Sequence, residues 1–329
     1  MNDFDMLKQL QRPTGKVKMV LDTDAYNEID DQFAIAYALL APEKIDLQAI
    51  YAAPFFNTRS QGPEDGMERS YNEILKLLRL AGREDMISKT FKGSRGYLKD
   101  EKTPVESPAV EDLIEKARAA SPEAPLYVVA IGAITNVASA FIKAPEVAKN
   151  TVVVWLGGHA WHWPDTREFN MMQDVAAARV IFDSEAALVQ LPCMGVVSQC
   201  TVTRPELEYW LKGKNPLADY LAENTIAEAE SYAAGTAWSR AIWDITTVAW
   251  IVDTEKKIVC DRIERRPIPE YDDHYGFDGR RPWMQYVWHI NRDALFTDLF
   301  TRLTRGSKTQ KRAVKAHAHA REKMGKAGA

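Results

Sequence analysis

Short apolar runs that end in polar or turn-forming residues recur along the first half of the chain. Four of them have the length and composition of buried β-strands, at residues 17–21, 45–53, 126–131 and 152–156. Segments with helical spacing of apolar positions follow these runs, so that strands and helices alternate. This alternation predicts an α/β fold, a single domain with a mostly parallel central sheet flanked by helices.

The helical segments are recognised by apolar residues that recur every three or four positions. Pro63 can open one of them, in which Met67, Tyr71, Ile74 and Leu78 share a face. Further helices are predicted at residues 32–40, 109–120, 175–183, 205–253 and 292–303, with one more starting within 132–138, and later strands at 257–262 and 284–290. No linker or repeat interrupts this pattern, so residues 1–304 are predicted to form one domain.

The last residues of the chain differ from the rest in composition. Residues 305–329 are rich in Lys, Arg, Ala and His, and Glu322 is their only acid. A basic, disordered and solvated tail is the expectation for such a segment.

Composition narrows the class of protein. Hydrophobic residues make up 46% and charged residues 27% of the 329-residue chain, as in ordinary soluble globular proteins. The net charge of −4 gives no reason to expect a nucleic-acid partner. No apolar run approaches the ~20 residues that span a bilayer, so no membrane partner is expected. Residues 1–14 lack a signal-peptide core, and three cysteines without paired spacing favour a reducing compartment, so a cytoplasmic protein is expected.

Acidic residues are concentrated directly after the first predicted strand. Asp22, Asp24, Glu28, Asp30 and Asp31 all lie between that strand and the next helix. In an open α/β sheet this junction belongs to the edge where ligands bind. Carboxylates so close together repel unless a cation joins them, and a flexible set of oxygen ligands suits Ca²⁺ better than Mg²⁺. An ordinary acidic helix N-terminus is the alternative, although it needs only one or two acids.

These acids and the later strand ends together resemble the nucleoside hydrolase family, the inosine/uridine-preferring ribohydrolases, over roughly residues 16–303. The family opens with Asp-x-Asp-Pro-Gly-x-Asp-Asp after a strand, and here Asp22 and Asp24 are followed by Asp30 and Asp31. Residues 25–29 replace Pro-Gly-x, so this loop is two residues longer than the family's. The resemblance implies the family's α/β fold with a Rossmann-like core, hydrolysis of a ribonucleoside to free base and ribose, bound Ca²⁺, and a homo-oligomer (dimer or tetramer).

The resemblance also implies roles in metal binding and catalysis. Asp30 would be the general base, and Asn57 would touch both the attacking water and the sugar. The calcium ligands implied are the side chains of Asp24, Asp31 and Asp244 and the backbone carbonyl of Ile131.

The substrate contacts implied by the resemblance come from later loops. Glu168, Asn170 and Asp244 would hold ribose hydroxyls, and His162 lies where many members have another sugar-binding Asn. Trp243 stands where the non-specific members carry a candidate acid, His, and resembles the aromatic residues of purine-preferring members. With Phe169 it would form a platform for a purine base, because stacking favours a flat, electron-poor ring.

Each assignment has a competing interpretation from the residues alone. Asn57 follows Pro54 and is typical of a turn, and Trp243 is typical of a core. Asp244 is harder to dismiss because a buried carboxylate needs a partner. His159 and His162 suggest zinc, but no third ligand with matching spacing is evident.

Three other functions stay open at this stage. One is a divergent hydrolase of another ribosyl or modified nucleoside, and another is a non-catalytic ribose- or nucleoside-binding protein. A haloacid-dehalogenase phosphatase also starts with a strand and Asp-x-Asp. It would require Thr or Val two residues after Asp24, where this chain has Tyr26.

Overall fold

The computed structural model describes residues 3–305, so the predicted tail beyond residue 305 lies outside the described residues. The helices are α1 (Asp3–Gln9), α2 (Asp31–Leu39), α3 (Pro63–Leu80), α4 (Pro108–Arg118), α5 (Thr135–Lys143), α6 (Phe169–Gln173), α7 (Val175–Asp183), α8 (Arg204–Trp210), α9 (Pro216–Ala233), α10 (Ile245–Val252) and α11 (Arg292–Leu303). The strands are β1 (Val17–Thr23), β2 (Ile45–Ala52), β3 (Thr90–Lys92), β4 (Leu126–Ala130), β5 (Thr151–Leu156), β6 (Ala187–Leu191), β7 (Thr201–Val202), β8 (Arg240–Ala241), β9 (Val259–Arg265), β10 (Ile268–Pro269), β11 (Tyr275–Gly276) and β12 (Trp283–Ile290). Within residues 3–305, no helix combines the length and the apolar character needed to cross a bilayer.

Eight of these strands form one sheet in the order β3-β2-β1-β4-β5-β6-β12-β9. All neighbours in it are parallel except β12 and β9, which pair antiparallel. The predicted fold class, a single α/β domain with a mostly parallel sheet, is confirmed. The chain leaves β1 toward β2 on one side and returns to β4 on the other, so β1 and β4 flank the topological switch point. A crevice for ligands opens at that point, outside the carboxyl ends of the strands.

Helices cover both faces of the sheet, which explains why its central strands are continuous apolar runs. On one face, Phe33 of α2 and Trp250 of α10 are buried in the larger core cluster. On the other, Leu113, Val137 and Ile181 of α4, α5 and α7 pack in a second cluster. The two layers hold the carboxyl ends of the parallel strands at one edge, as predicted.

The region predicted to be helical at residues 205–253 is helical in three separate segments. It divides into α8, α9 and α10, with the short strand β8 between the last two. Gly213 adopts a positive φ of 73° after α8, and the Asn215 side chain caps α9 by accepting from the Ala218 N–H. Gly235, with φ of 81°, follows α9. Asp244 therefore lies at the N-terminus of α10 rather than inside an apolar helix.

Several elements were not predicted from the sequence. The short helices α1 and α6, the strand β6 and the hairpin of β10 and β11 are all new. The most consequential is β6, because its end contributes to the crevice. Gln190 interrupts its apolar run and is completely buried, where its amide donates to the Gly157 carbonyl at 2.9 Å and to the Tyr275 hydroxyl at 2.8 Å.

Candidate active site

A pocket of about 130 Å³ lies at the switch point, beyond the ends of β1, β4, β5 and β6. A cavity of about 150 Å³ accommodates benzene, so this one has room for a sugar-sized ring. The pocket is lined by Asn27, Glu28, Asp30, Asp31, Ile131, Leu156, Glu168, Phe169, Asn170, Cys193, Trp243 and Asp244. Eight of the eleven site residues predicted from the sequence are in this set. Asp24, Asn57 and His162 are not.

Three carboxyl groups converge on one side of the pocket. Asp30 and Asp31 begin α2, and Asp244 begins α10, the neighbouring helix. Each offers an oxygen within 4.8 Å of the oxygens of the other two, and all three side chains are buried. Both helix N-termini direct their partial positive charge toward this point, which favours negative side chains there.

Hydrogen bonds fix two of these carboxylates. The Thr23 hydroxyl donates to Oδ1 of Asp31 at 2.5 Å, and the backbone N–H of Trp243 donates to Oδ2 of Asp30 at 3.1 Å. The second bond joins the start of α2 to the segment that precedes α10. The two halves of the acidic cluster are therefore held together by the backbone as well as by packing.

Burial raises the pKa of the four aspartates in this region. It raises the pKa of Asp31 to about 7 and that of Asp30, Asp244 and Asp24 well above the usual range, and nearby carboxylates raise the last three further. Carboxylates this close cannot all ionise without a cation. The oxygen-only set of ligands fits a hard divalent ion such as Ca²⁺.

Asp24, which does not line the pocket, supports the same interpretation. It is completely buried, and neither of its carboxylate oxygens has a hydrogen-bond partner in the described part of the chain. Gly132, after β4, lies against it, and a Cβ at that glycine would be 3.1 Å from Cγ of Asp24. An unpaired buried carboxylate is costly, and a bound cation is one way to offset that cost.

Residues of the segment after β5 also line the pocket. The Glu168 carboxylate accepts from the backbone N–H groups of Gly158, Asn170 and Met171, each at 2.9 Å. It thereby caps α6. Burial nevertheless raises the pKa of Glu168 to about 7, against the effect of these three bonds. The Asn170 amide donates to the Leu156 carbonyl at 3.0 Å, which fixes the orientation of its side chain.

Phe169 and Trp243 both line the pocket and are half-buried. Trp243 also packs on the edge of the core, so both sequence-based interpretations of it describe part of its environment. Two aromatic side chains are thus available to a flat ligand group near the acidic cluster.

Asn57 and His162 are, with Asp24, the predicted residues that lie outside the lining set. Asn57 is half-buried, its amide donates to Oδ1 of Asn27 at 2.6 Å, and its own Oδ1 accepts from the Arg59 N–H. It is therefore a turn residue that also positions a pocket residue. His162 is exposed and lines a separate crevice with Trp161 and Trp288, among others. Its role in sugar binding stays a prediction.

Four lining residues were not assigned to the site from the sequence. Asn27 and Glu28 belong to the loop that is longer than the family's, and that departure was the available signal. Leu156 ends a predicted strand. Cys193 follows the unpredicted β6, and nothing in the sequence pointed to it. Burial raises the pKa of the Cys193 thiol, so it is protonated at neutral pH.

Comparison with known proteins places the chain among nucleoside hydrolases. A family model described as inosine-uridine preferring nucleoside hydrolase matches residues 19–326. The pyrimidine-specific ribonucleoside hydrolase RihA of Citrobacter koseri is 26% identical over 302 residues, which cover 82% of this chain and 93% of that protein.

Two solved structures show the same fold. A plant nucleoside hydrolase superposes with a TM-score of 0.70 at 22% identity, covering 89% of this chain and all of that one (100%). A purine-preferring ribonucleoside hydrolase from Gardnerella vaginalis gives a TM-score of 0.69 at 23% identity, covering 87% of this chain and 98% of that one.

Proposed function

The chain belongs to the inosine-uridine preferring nucleoside hydrolase family and is a ribonucleoside hydrolase, and from this premise we propose that it depends on calcium and prefers purine nucleosides. One observation carries the proposal. A buried cluster of three carboxylates, a carboxylate–amide pair and two aromatic side chains all face a single pocket at the switch point of the sheet.

The proposed calcium ligands are the carboxylates of Asp24, Asp31 and Asp244 and the backbone carbonyl of Ile131. Asp31 and Asp244 belong to the cluster within 4.8 Å, and Ile131 lines the same pocket. The unpaired oxygens of the buried Asp24 support its inclusion. A bound calcium ion would supply positive charge that lowers the pKa of a water molecule.

Asp30 is the proposed general base. It accepts the proton as water attacks the anomeric carbon from the face opposite the base. Glu168, Asn170 and Asp244 orient the ribose hydroxyls. As the bond to the base breaks, the ribosyl ring acquires positive charge, which the surrounding carboxylates stabilise.

The purine preference rests on Trp243 and Phe169. Both line the pocket, and flat aromatic groups stack on such side chains with a gain of about 0.5–1.5 kcal/mol beyond burial. A pyrimidine preference is the second candidate, and the name of the RihA relative favours it. The two candidates share the same catalytic residues and differ only in the base.

A substrate panel distinguishes them. Ribose release is followed from inosine, adenosine, guanosine, uridine and cytidine at saturating calcium, for the wild type and for Trp243→Ala. The proposal predicts higher kcat/KM for the purine nucleosides and a selective loss of purine activity in the variant. Trp288→Ala, which changes an exposed residue outside the pocket, is the matched control. Preference for uridine and cytidine, or full inosine activity in Trp243→Ala, would refute the purine assignment.

A further inference from the structure

The pocket holds more carboxyl groups than the three that cluster at the proposed calcium site. Five carboxyl groups line it, those of Glu28, Asp30, Asp31, Glu168 and Asp244, whereas its described lining includes no Lys, Arg or His. We propose, resting on the proposed hydrolase function, that the preferred substrates are ribonucleosides whose base carries a fixed positive charge on a quaternised ring nitrogen.

Glu28 is the acid that the mechanism leaves unused. It lies outside the cluster of three carboxylates and its side chain is 42% exposed, so it stands toward the mouth of the pocket. Its place is fixed by two side chains. Gln32 of α2 donates to the Glu28 carbonyl at 3.3 Å and to the Ala25 carbonyl at 2.8 Å, and Arg240 of β8 donates to Oε2 of Glu28 at 3.0 Å.

The same contact links Glu28 to the segment that leads to Trp243. Arg240 is three residues before Trp243, so its bond ties the acidic loop to the segment that carries this aromatic residue. Arg240 also pairs with Glu228 of α9 at 3.0 Å. Its single positive charge is therefore shared between two carboxylates and does not serve Glu28 exclusively.

A cationic heteroaromatic ring matches this combination of side chains. The faces of Trp243 and Phe169 attract positive charge, with Trp the strongest of the aromatic residues in this respect. A carboxylate at the mouth adds attraction over a longer range, because acidic walls of low dielectric focus the field within a cleft. A neutral base would use only the stacking.

The chemistry of the leaving group points the same way. A neutral purine must gain a proton to depart as a neutral base, and the described lining offers no His or Lys to supply one. A quaternised base needs no such proton. The C1′–N bond breaks, its electron pair neutralises the ring nitrogen, and water adds its oxygen to C1′. One water proton stays on the new hydroxyl of ribose and the other leaves through Asp30 to solvent.

7-Methylguanosine and guanosine test this inference, because they differ by one methyl group and the charge it brings. Steady-state kcat and KM are measured for both at saturating calcium and mildly acidic pH, where the methylated ring keeps its charge. The inference predicts a KM for 7-methylguanosine about tenfold below that for guanosine, from cation–π and carboxylate attraction.

Glu28→Gln isolates the contribution of the charge. The ratio of kcat/KM for 7-methylguanosine over guanosine is expected to fall several-fold in this variant. The intrinsic weakness of the methylated bond is the same for both enzymes and cancels. Glu115→Gln makes the same substitution at an exposed position of α4 and should leave both substrates unchanged.

The outcomes separate the inference from the function on which it rests. If guanosine has the lower or equal KM, or if Glu28→Gln reduces both substrates by one factor, the cationic preference is overturned and the hydrolase stands. If neither nucleoside releases ribose, both fail. The comparison of the two substrates on the wild type needs no variant, so it decides the question even if Glu28→Gln does not fold.

Discussion

At the scale of single residues, Asp30 is the proposed general base. It faces the pocket, lies within 4.8 Å of two other carboxylates, and is oriented by the backbone N–H of Trp243. Burial and the neighbouring charges raise its pKa, as is common for groups that transfer protons.

Replacing this carboxylate should remove proton transfer without changing the shape of the side chain. In Asp30→Asn we expect kcat for inosine to fall by about 10²–10⁴-fold, the usual contribution of a general base. Asp272→Asn, an exposed acid near the β10–β11 hairpin, is the control and should keep full activity. A kcat within a factor of two of the wild type in Asp30→Asn would assign the base elsewhere.

Glu168 should give a measurable pH dependence of substrate binding. Burial raises its pKa to about 7, so the side chain is ionised above that pH and protonated below it. Only the ionised form accepts hydrogen bonds with both oxygens, and we therefore expect KM for the nucleoside to rise as the pH falls through about 7. Glu168→Gln should lack this step in the KM profile. An unchanged step in the variant would show that another group titrates.

At the scale of elements, one buried side chain connects the strands around the switch point. The Asn136 amide of α5 donates to Oδ1 of Asp22 in β1 at 2.7 Å. Its carbonyl oxygen accepts from the N–H and the hydroxyl of Ser94, after β3, at 2.7 and 2.8 Å. Asn136 therefore sets the position of the loop that follows β3 relative to the acidic end of β1.

Truncating this residue should destabilise the fold. Asn136→Ala leaves the buried Asp22 carboxylate and Ser94 without their shared partner, at a cost of about 1–3 kcal/mol for each unsatisfied group. Urea unfolding measures the loss. Asn72→Ala, on the exposed face of α3, should change the free energy of unfolding by less than about 0.5 kcal/mol. Equal effects of the two substitutions would contradict the role assigned to Asn136.

The same elements show what could be predicted from the sequence. The strands β1, β4 and β5 are apolar runs long enough to be unambiguous, so the edge of the sheet could be located in advance. Asp30 lies between β1 and α2, Ile131 directly follows β4, and Leu156 ends β5. The strand β6 was not predicted because the polar Gln190 interrupts its apolar run. The hydrogen-bond partners of Gln190, Gly157 and Tyr275, are distant in sequence, so only the fold shows that its amide is satisfied. Because β6 was not predicted, Cys193, which follows it, could not be assigned to the pocket.

At the scale of the whole molecule, the N-terminal segment is locked onto the far edge of the sheet by a buried ion pair. The Arg12 guanidinium contacts Asp253 at 2.9 Å and Asp261 at 3.0 Å, and all three side chains are at most 5% exposed. Trp250 also donates to Asp261, at 2.7 Å. This network joins the segment after α1 to the end of α10 and to β9, so it contributes to closure of the single domain.

Removing the Arg12 guanidinium should therefore destabilise the fold strongly. Arg12→Ala leaves two buried carboxylates uncompensated, and we expect the free energy of unfolding to fall by about 3–5 kcal/mol. The control is Arg83→Ala, which breaks an exposed pair with Asp85 and should cost about 0–1 kcal/mol. Thermal and urea unfolding measure the stability of both variants. If Arg12→Ala were no less stable than Arg83→Ala, the role assigned to Arg12 would be contradicted.

The proposed dependence on calcium rests on the buried carboxylates, and measuring it is the most direct test of the proposed catalytic centre. Protein stripped with a chelator is supplied with increasing calcium, and ribose release from inosine is followed at each concentration. We expect no ribose release before calcium is added. The rate of ribose release should then rise with calcium and saturate when one ion is bound per chain. Full ribose release with the chelator in excess would contradict the proposal that the cluster of Asp30, Asp31 and Asp244 functions with a calcium ion.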